Sequence, residues 1–97
     1  MFTIFGFYKF KKINFLRKYK TYLDKKISNT SIRGLIIISP EGINGTLAGK
    51  SKDIYKILKL LKKKFKFTDF DSSNNSISRF QPFHKAKVKI KKEVVPL

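Results

Sequence analysis

Glycine, asparagine and lysine stand where this chain could do chemistry, and they gather in three stretches. The first, SPEGINGTLAGKS at residues 39–51, closes on Gly49-Lys50-Ser51, the ending of a nucleotide-binding phosphate loop. Such a loop needs Gly, four residues, then Gly-Lys-Ser/Thr, so that successive backbone amides wrap a phosphate and the lysine reaches it. Counting back from Gly49 puts the first glycine at position 44, where the chain has Asn44; Gly45 is one residue too close. A phosphate loop also runs from a buried strand straight into a helix, whereas Thr46-Leu47-Ala48 reads as an intervening extended segment. The expected structure is a hairpin followed by a helix that Ser51 caps.

The second stretch lies inside the first. Residues 41–46, EGINGT, read as a built turn: Gly42 and Gly45 permit tight backbone geometry, and Glu41 and Asn44 can bond nearby amides before Thr46 resumes extended structure. Glu41 has no second carboxylate beside it in sequence, so it is weak ground for acid–base catalysis. His84 is the single histidine and has no partner ligand for a metal; a structural role is favoured. The chain has no cysteine, which excludes disulfides, cysteine-ligated zinc and a thiolate nucleophile within it.

The third stretch alternates strictly. Ala86, Val88 and Ile90 point one way and Lys85, Lys87, Lys89 and Lys91 the other, as in a half-buried strand. Like charges spaced about 6.6 Å apart along one strand face repel, so the ladder needs solvent or a polyanion beside it. A phosphate backbone meets that need. Phe10, Phe80 and Phe83 have the side chains to stack on bases, although core packing is the commoner use of an aromatic in so small a chain.

A chain of 97 residues suits one small domain with a single core. With 23 Lys and Arg against 6 Asp and Glu, the formal net charge is +17. Nucleic acid is the leading anionic partner and an anionic membrane surface the second. No run approaches the ~18 apolar residues of a membrane-spanning helix. The apolar start lacks the leading charge and cleavage site of an export signal, so a cytoplasmic location is expected.

Residues 2–10 read as a strand. Residues 14–27 read as a helix with Asn14 as N-cap and Phe15, Leu16, Tyr19, Tyr22, Leu23 and Ile27 along one stripe. Residues 32–39, with Leu35-Ile36-Ile37-Ile38, read as a central strand leading into the hairpin. Ser51 caps a second helix with Asp53 in its first turn, and Ile54, Ile57, Leu58, Leu61 and Phe65 form its apolar stripe. Residues 67–78 read as irregular, with an exposed loop at 71–76. The lysine ladder is the last element. Strand, helix, strand, strand, helix, strand implies an α+β, ferredoxin-like βαββαβ sandwich, with two helices covering one face of an antiparallel sheet.

The EGINGTLAG segment at residues 41–49, together with QPFHKAKVKIKKEVV at residues 81–95 and the opening Tyr8-Lys9-Phe10, closely resembles the N-terminal domain of the bacterial rhodanese-domain tRNA uridine hydroxylases. The similarity spans essentially the whole chain. It implies an acylphosphatase-like or ferredoxin-like domain over residues 1–95, with residues 96–97 starting a truncated linker to a cysteine-bearing rhodanese domain absent from this chain. It also implies an oxygen-dependent oxidoreductase that makes 5-hydroxyuridine at the tRNA wobble position. Lys85 stands where arginine is common in that family. On this reading tRNA and the missing rhodanese domain are the partners, with no membrane, metal or cofactor for this chain, which alone is not expected to catalyse. Lys87, Lys89, Lys91 and Lys92, with Lys85 and Arg79 beside them, are the expected phosphate contacts. Two alternatives stay open: a docking domain that touches no RNA, and an acylphosphatase-like hydrolase, which would need an arginine-bearing phosphate loop that no segment after the first strand supplies.

Overall fold

A computed structural model describes residues 1–92, so the expected boundary between residues 95 and 96 lies outside the described residues. Alternation decides how β1 (Phe2–Phe10) is used. Phe7 is buried and Phe5 packs against the core, so Ile4, Gly6 and Tyr8 project to the other face. After α1 (Leu16–Ile27) come β2 (Arg33–Ser39) and β3 (Gly42–Gly49), then α2 (Ser51–Lys64), β4 (Ser72–Ser78) and β5 (Ala86–Ile90). The sheet order is β4-β1-β3-β2-β5. The pairs β1/β3, β1/β4 and β2/β3 are antiparallel, and β2/β5 is parallel. The first six elements make the ferredoxin-like βαββαβ unit, and the fifth strand turns the expected antiparallel sheet into a mixed one.

Helices lie on one face. Leu23 and Ile27 from α1 and Ile54, Leu58 and Leu61 from α2 close over Phe7, Ile36, Ile38, Ile43 and Leu47. Each such side chain, taken fully out of water, contributes roughly 1.5–3 kcal/mol. Val88 joins this core from β5 at 4% exposure, in register with Ile36. That places the lysines of β5 on the face the helices leave open.

Residues 71–76, expected to be a loop, belong to the fourth strand of the sandwich, and the lysine segment takes the opposite edge. The Ser- and Asn-rich strand carries no apolar alternation because it has no core to face. Its one aliphatic residue, Ile77, is 70% exposed. Backbone pairing with β1, from Phe2↔Ser78 to Tyr8↔Ser72, holds it instead. Asp71 fixes its start: the Phe10 N–H donates to Asp71 Oδ2 at 2.6 Å, and the Asp71 N–H donates to the Tyr8 carbonyl at 2.9 Å.

Both helix starts differ from expectation. Asn14 does not cap α1; the N-cap is Phe15, at φ 56° in the left-handed region, with no side-chain cap hydrogen bond. Ser51 is the first residue of α2 rather than its cap, and its hydroxyl lies 2.6 Å from that of Thr3. A residue from the loop between α1 and β2 orders the start of α2. The Ser31 hydroxyl and backbone N–H donate to Asp53 Oδ2 at 2.6 and 2.9 Å, and Ser31 Oγ accepts the Lys50 N–H at 2.8 Å. These bonds hold the Asp53 carboxyl below its ordinary 3.8, with the charges of Lys52 and Lys50 adding to the effect.

Candidate nucleic-acid interface

Register builds the open face row by row. Leu35 of β2 lies beside Lys87 of β5 and opposite Thr46 of β3; Ile37 lies beside Lys89 and opposite Asn44. Across β3 the rows continue to Gly6 and Tyr8 of β1, then to Asn74 and Ser72 of β4. From the β5 edge inward, each row therefore reads lysine, aliphatic, then polar amide or hydroxyl. The two sequence stretches singled out above, forty residues apart in the chain, meet on one surface: Asn44, Gly45 and Thr46 share a groove of about 390 Å³ with Lys85, Lys87 and Lys89.

The EGINGT segment is mostly strand, which corrects its reading as a turn. Pro40 and Glu41 alone make the turn, and Gly42, Asn44, Gly45 and Thr46 lie in β3. Ser39 Oγ accepts the Glu41 N–H at 3.1 Å, while the Glu41 and Pro40 carbonyls accept the N–H groups of Lys11 and Ile13 at 2.8 and 3.1 Å. It is the backbone of Glu41, not its carboxylate, that ties the hairpin tip to the loop after β1. The glycines permit close approach. Gly42 has φ 152°, and a Cβ there would sit 2.0 Å from the Lys9 carbonyl oxygen. A Cβ on Gly45 would come within 2.4 Å of the Leu35 carbonyl oxygen and 3.1 Å of the Phe7 ring. Asn44 is 4% exposed, a polar side chain set into the floor between two hollows of the open face.

The expected cationic residues separate into two groups. Lys85, Lys87 and Lys89 line the groove, and among the described residues no carboxylate pairs with them; the ion pairs there are Lys9–Asp71 and Lys20–Asp24. Lys91 and Lys92 follow the end of β5, exposed and outside the groove, with the Lys91 N–H donating to the Ile38 carbonyl at 2.9 Å. Arg79 follows β4 and is likewise exposed and outside the groove. Of the aromatic candidates, Phe83 is half-buried and lines the groove. Phe10 packs edge-on against Tyr8, and Phe80 is exposed. In sequence, Leu35 and Ile37 read only as part of a central strand and not as site residues. The signal was the parity of that run, since Ile36 and Ile38 alone enter the core.

The connection from β4 to β5 is pinned as it crosses to the far edge. Gln81 Nε2 donates to the Ala48 and Ser31 carbonyls at 2.8 and 3.1 Å, and Gln81 Oε1 accepts the Phe83 N–H at 3.3 Å. Beyond Phe83, Arg33 Nη1 donates to the His84 carbonyl at 2.6 Å and the Gly34 N–H to the Lys85 carbonyl at 2.8 Å. Phe83 is thereby held from both sides. His84 acts through its backbone and is exposed.

The fold defines a class, the acylphosphatase-like α+β sandwich. Crystallised Bacillus subtilis acylphosphatase matches 94% of the chain with a TM-score of 0.57 at 13% identity, the chain covering 99% of that enzyme. A solved BlrP1 BLUF structure matches 95% of the chain with a TM-score of 0.65 at 13% identity, the chain covering 65% of it. Within that class the chain belongs to the UPF0176 acylphosphatase-like domain family, whose profile matches residues 2–94. It is 54% identical over 97 residues to the tRNA uridine(34) hydroxylase of Pelagibacter ubique and 32% identical over 96 residues to that of Wolbachia pipientis wMel. The chain spans about a third of these curated relatives, 32% and 34% of their lengths.

Proposed function

We propose that this domain binds RNA through its open sheet face and so holds tRNA for a uridine hydroxylase whose chemistry belongs to the remainder of a longer protein, the expected rhodanese domain. One observation carries the reading: Lys87 and Lys89 converge with Asn44 and Thr46 across Leu35 and Ile37. Unpaired cations on an open sheet face suit a phosphate chain, and ferredoxin-like sheets of the RNA-recognition-motif type present single-stranded RNA with such a face. That parallel is one of architecture. The names of the relatives supply tRNA as the RNA and hydroxylation as the reaction. Residues 11–15, which join β1 to α1, contain no arginine, so the likeness to an acylphosphatase extends to the fold and not to a phosphate-binding loop.

Fluorescence anisotropy with labelled tRNA across a salt series tests the reading. Each phosphate contact contributes roughly 0.7–0.9 to the log–log slope, so replacing Lys85, Lys87 and Lys89 by Gln is expected to flatten it by about 2 units. Affinity that is independent of salt, or a slope unchanged in the triple variant, overturns it.

A second reading has its own observation. Phe15 is 75% exposed in a left-handed conformation and lies with Ile13, Leu16, Pro40 and Ile90 around a hollow that Asn14, Arg17 and Lys20 also line. This patch suits docking of the rest of the longer protein and is compatible with RNA on the open face. Phe15→Ser is expected to leave the tRNA affinity of the domain unchanged.

A further inference from the structure

Leu35 and Ile37 are half-buried aliphatic side chains on a face that carries no helix, and with Phe83 they make an apolar strip outside the core. Burial in the fold does not account for that strip, and phosphate contacts do not use it. On one side stand Lys87 and Lys89, on the other Asn44 and Thr46. A ligand matching all three parts has an anionic group, a flat apolar ring and a hydrogen-bonding edge, in that order.

Width separates the possible occupants. The aliphatic part is a single strand wide, roughly 4.8 Å, and the lysine and amide rows stand about 10 Å apart. A partner helix, about 10–12 Å across with its side chains, would need the whole width and would set its apolar face against lysines. One ring system fits lengthwise along the strip. We infer that the groove between β3 and β5 seats one unstacked nucleobase of single-stranded RNA, with Phe83 as its stacking partner and Lys87 and Lys89 on the adjoining phosphates. Gln81 is the positioning residue, because its amide bonds the Ala48 and Ser31 carbonyls and the Phe83 N–H together. Phe83 therefore meets a base from a fixed position, without ordering itself on binding.

This inference rests on the RNA-binding reading, and its test separates the two. Anisotropy at fixed salt compares a labelled single-stranded oligoribonucleotide, the same backbone with abasic sites, and a duplex of equal length, each with the unmodified full chain. The base-bearing single strand is expected to bind about ten-fold tighter than the abasic one, and a 2-aminopurine placed in it is expected to be quenched on binding. Phe83→Ala removes that preference, and Phe83→Leu, which keeps apolar volume, removes most of it; both leave the abasic strand bound as before. Equal binding of base-bearing and abasic strands by the unmodified chain, without quenching, overturns the base seat while leaving a phosphate site in place. Failure of every RNA to bind overturns the RNA reading itself. The oligonucleotide comparison on the unmodified chain decides even where a Phe83 variant does not fold.

Discussion

β4 and β5 form the two edges of one sheet and are built differently. β4, SSNNSIS, presents no charge, packs no residue into the core and is held by backbone pairing with β1. β5, AKVKI, inserts Val88 into the core and lines its outer face with lysines. A strand edge exposes unpaired N–H and C=O groups, and charge is one way to keep another chain from pairing there. β5 has that protection, whereas β4 carries no charge and exposes Ile77 among polar side chains. The contrast assigns different work to the two edges. β4 closes the sheet, whereas the Val88 anchor holds β5 so that its lysines flank the aliphatic residues of β2.

The largest effect is expected at the Val88 anchor. Val88→Asp buries an uncompensated carboxylate, which costs about 3 kcal/mol or detaches β5, whereas Ile77→Asp on β4 stays within about 0.5 kcal/mol. Denaturant melts of the two variants measure this directly, and equal losses would show that the edges are not different in kind. Asp71→Ala is expected to cost about 1 kcal/mol by removing the acceptor of the Phe10 N–H, and to loosen β4 alone in hydrogen exchange. Smallest is an acid effect away from both edges. The Asp53 carboxyl titrates below its ordinary 3.8 in the folded chain, so the stability it contributes is complete above that pH and lost as pH falls through the folded value. Asp53→Asn is expected to flatten that limb of a stability–pH curve, and an unchanged limb would place the acid sensitivity elsewhere.

These edges also mark what could be read from sequence. Val88 between Lys87 and Lys89 gives a period of two with a buried side, so β5 and its lysine face were legible at once. β4 was not, because backbone pairing leaves no trace in side-chain pattern when neither face is buried. The helix stripes were legible from apolar spacing, but the helix starts were misread, because Ser31 reaches in from another loop and Phe15 adopts a conformation that residue type does not advertise. For the groove, the residues of both motifs were visible while their meeting was not. That meeting depends on β5 lying parallel to β2, a pairing across some fifty residues that no local signal specifies.

On the proposed reading, RNA lies on the open face, between β3 and β5. The most direct measurement is the amide chemical-shift map of the labelled chain on addition of a single-stranded oligoribonucleotide. Shifts are expected to concentrate at Leu35, Ile37, Asn44, Thr46, Phe83, Lys87 and Lys89, with β4 and the outer faces of α1 and α2 unmoved. Shifts confined to the helices, or spread evenly over every lysine-bearing surface, would contradict it.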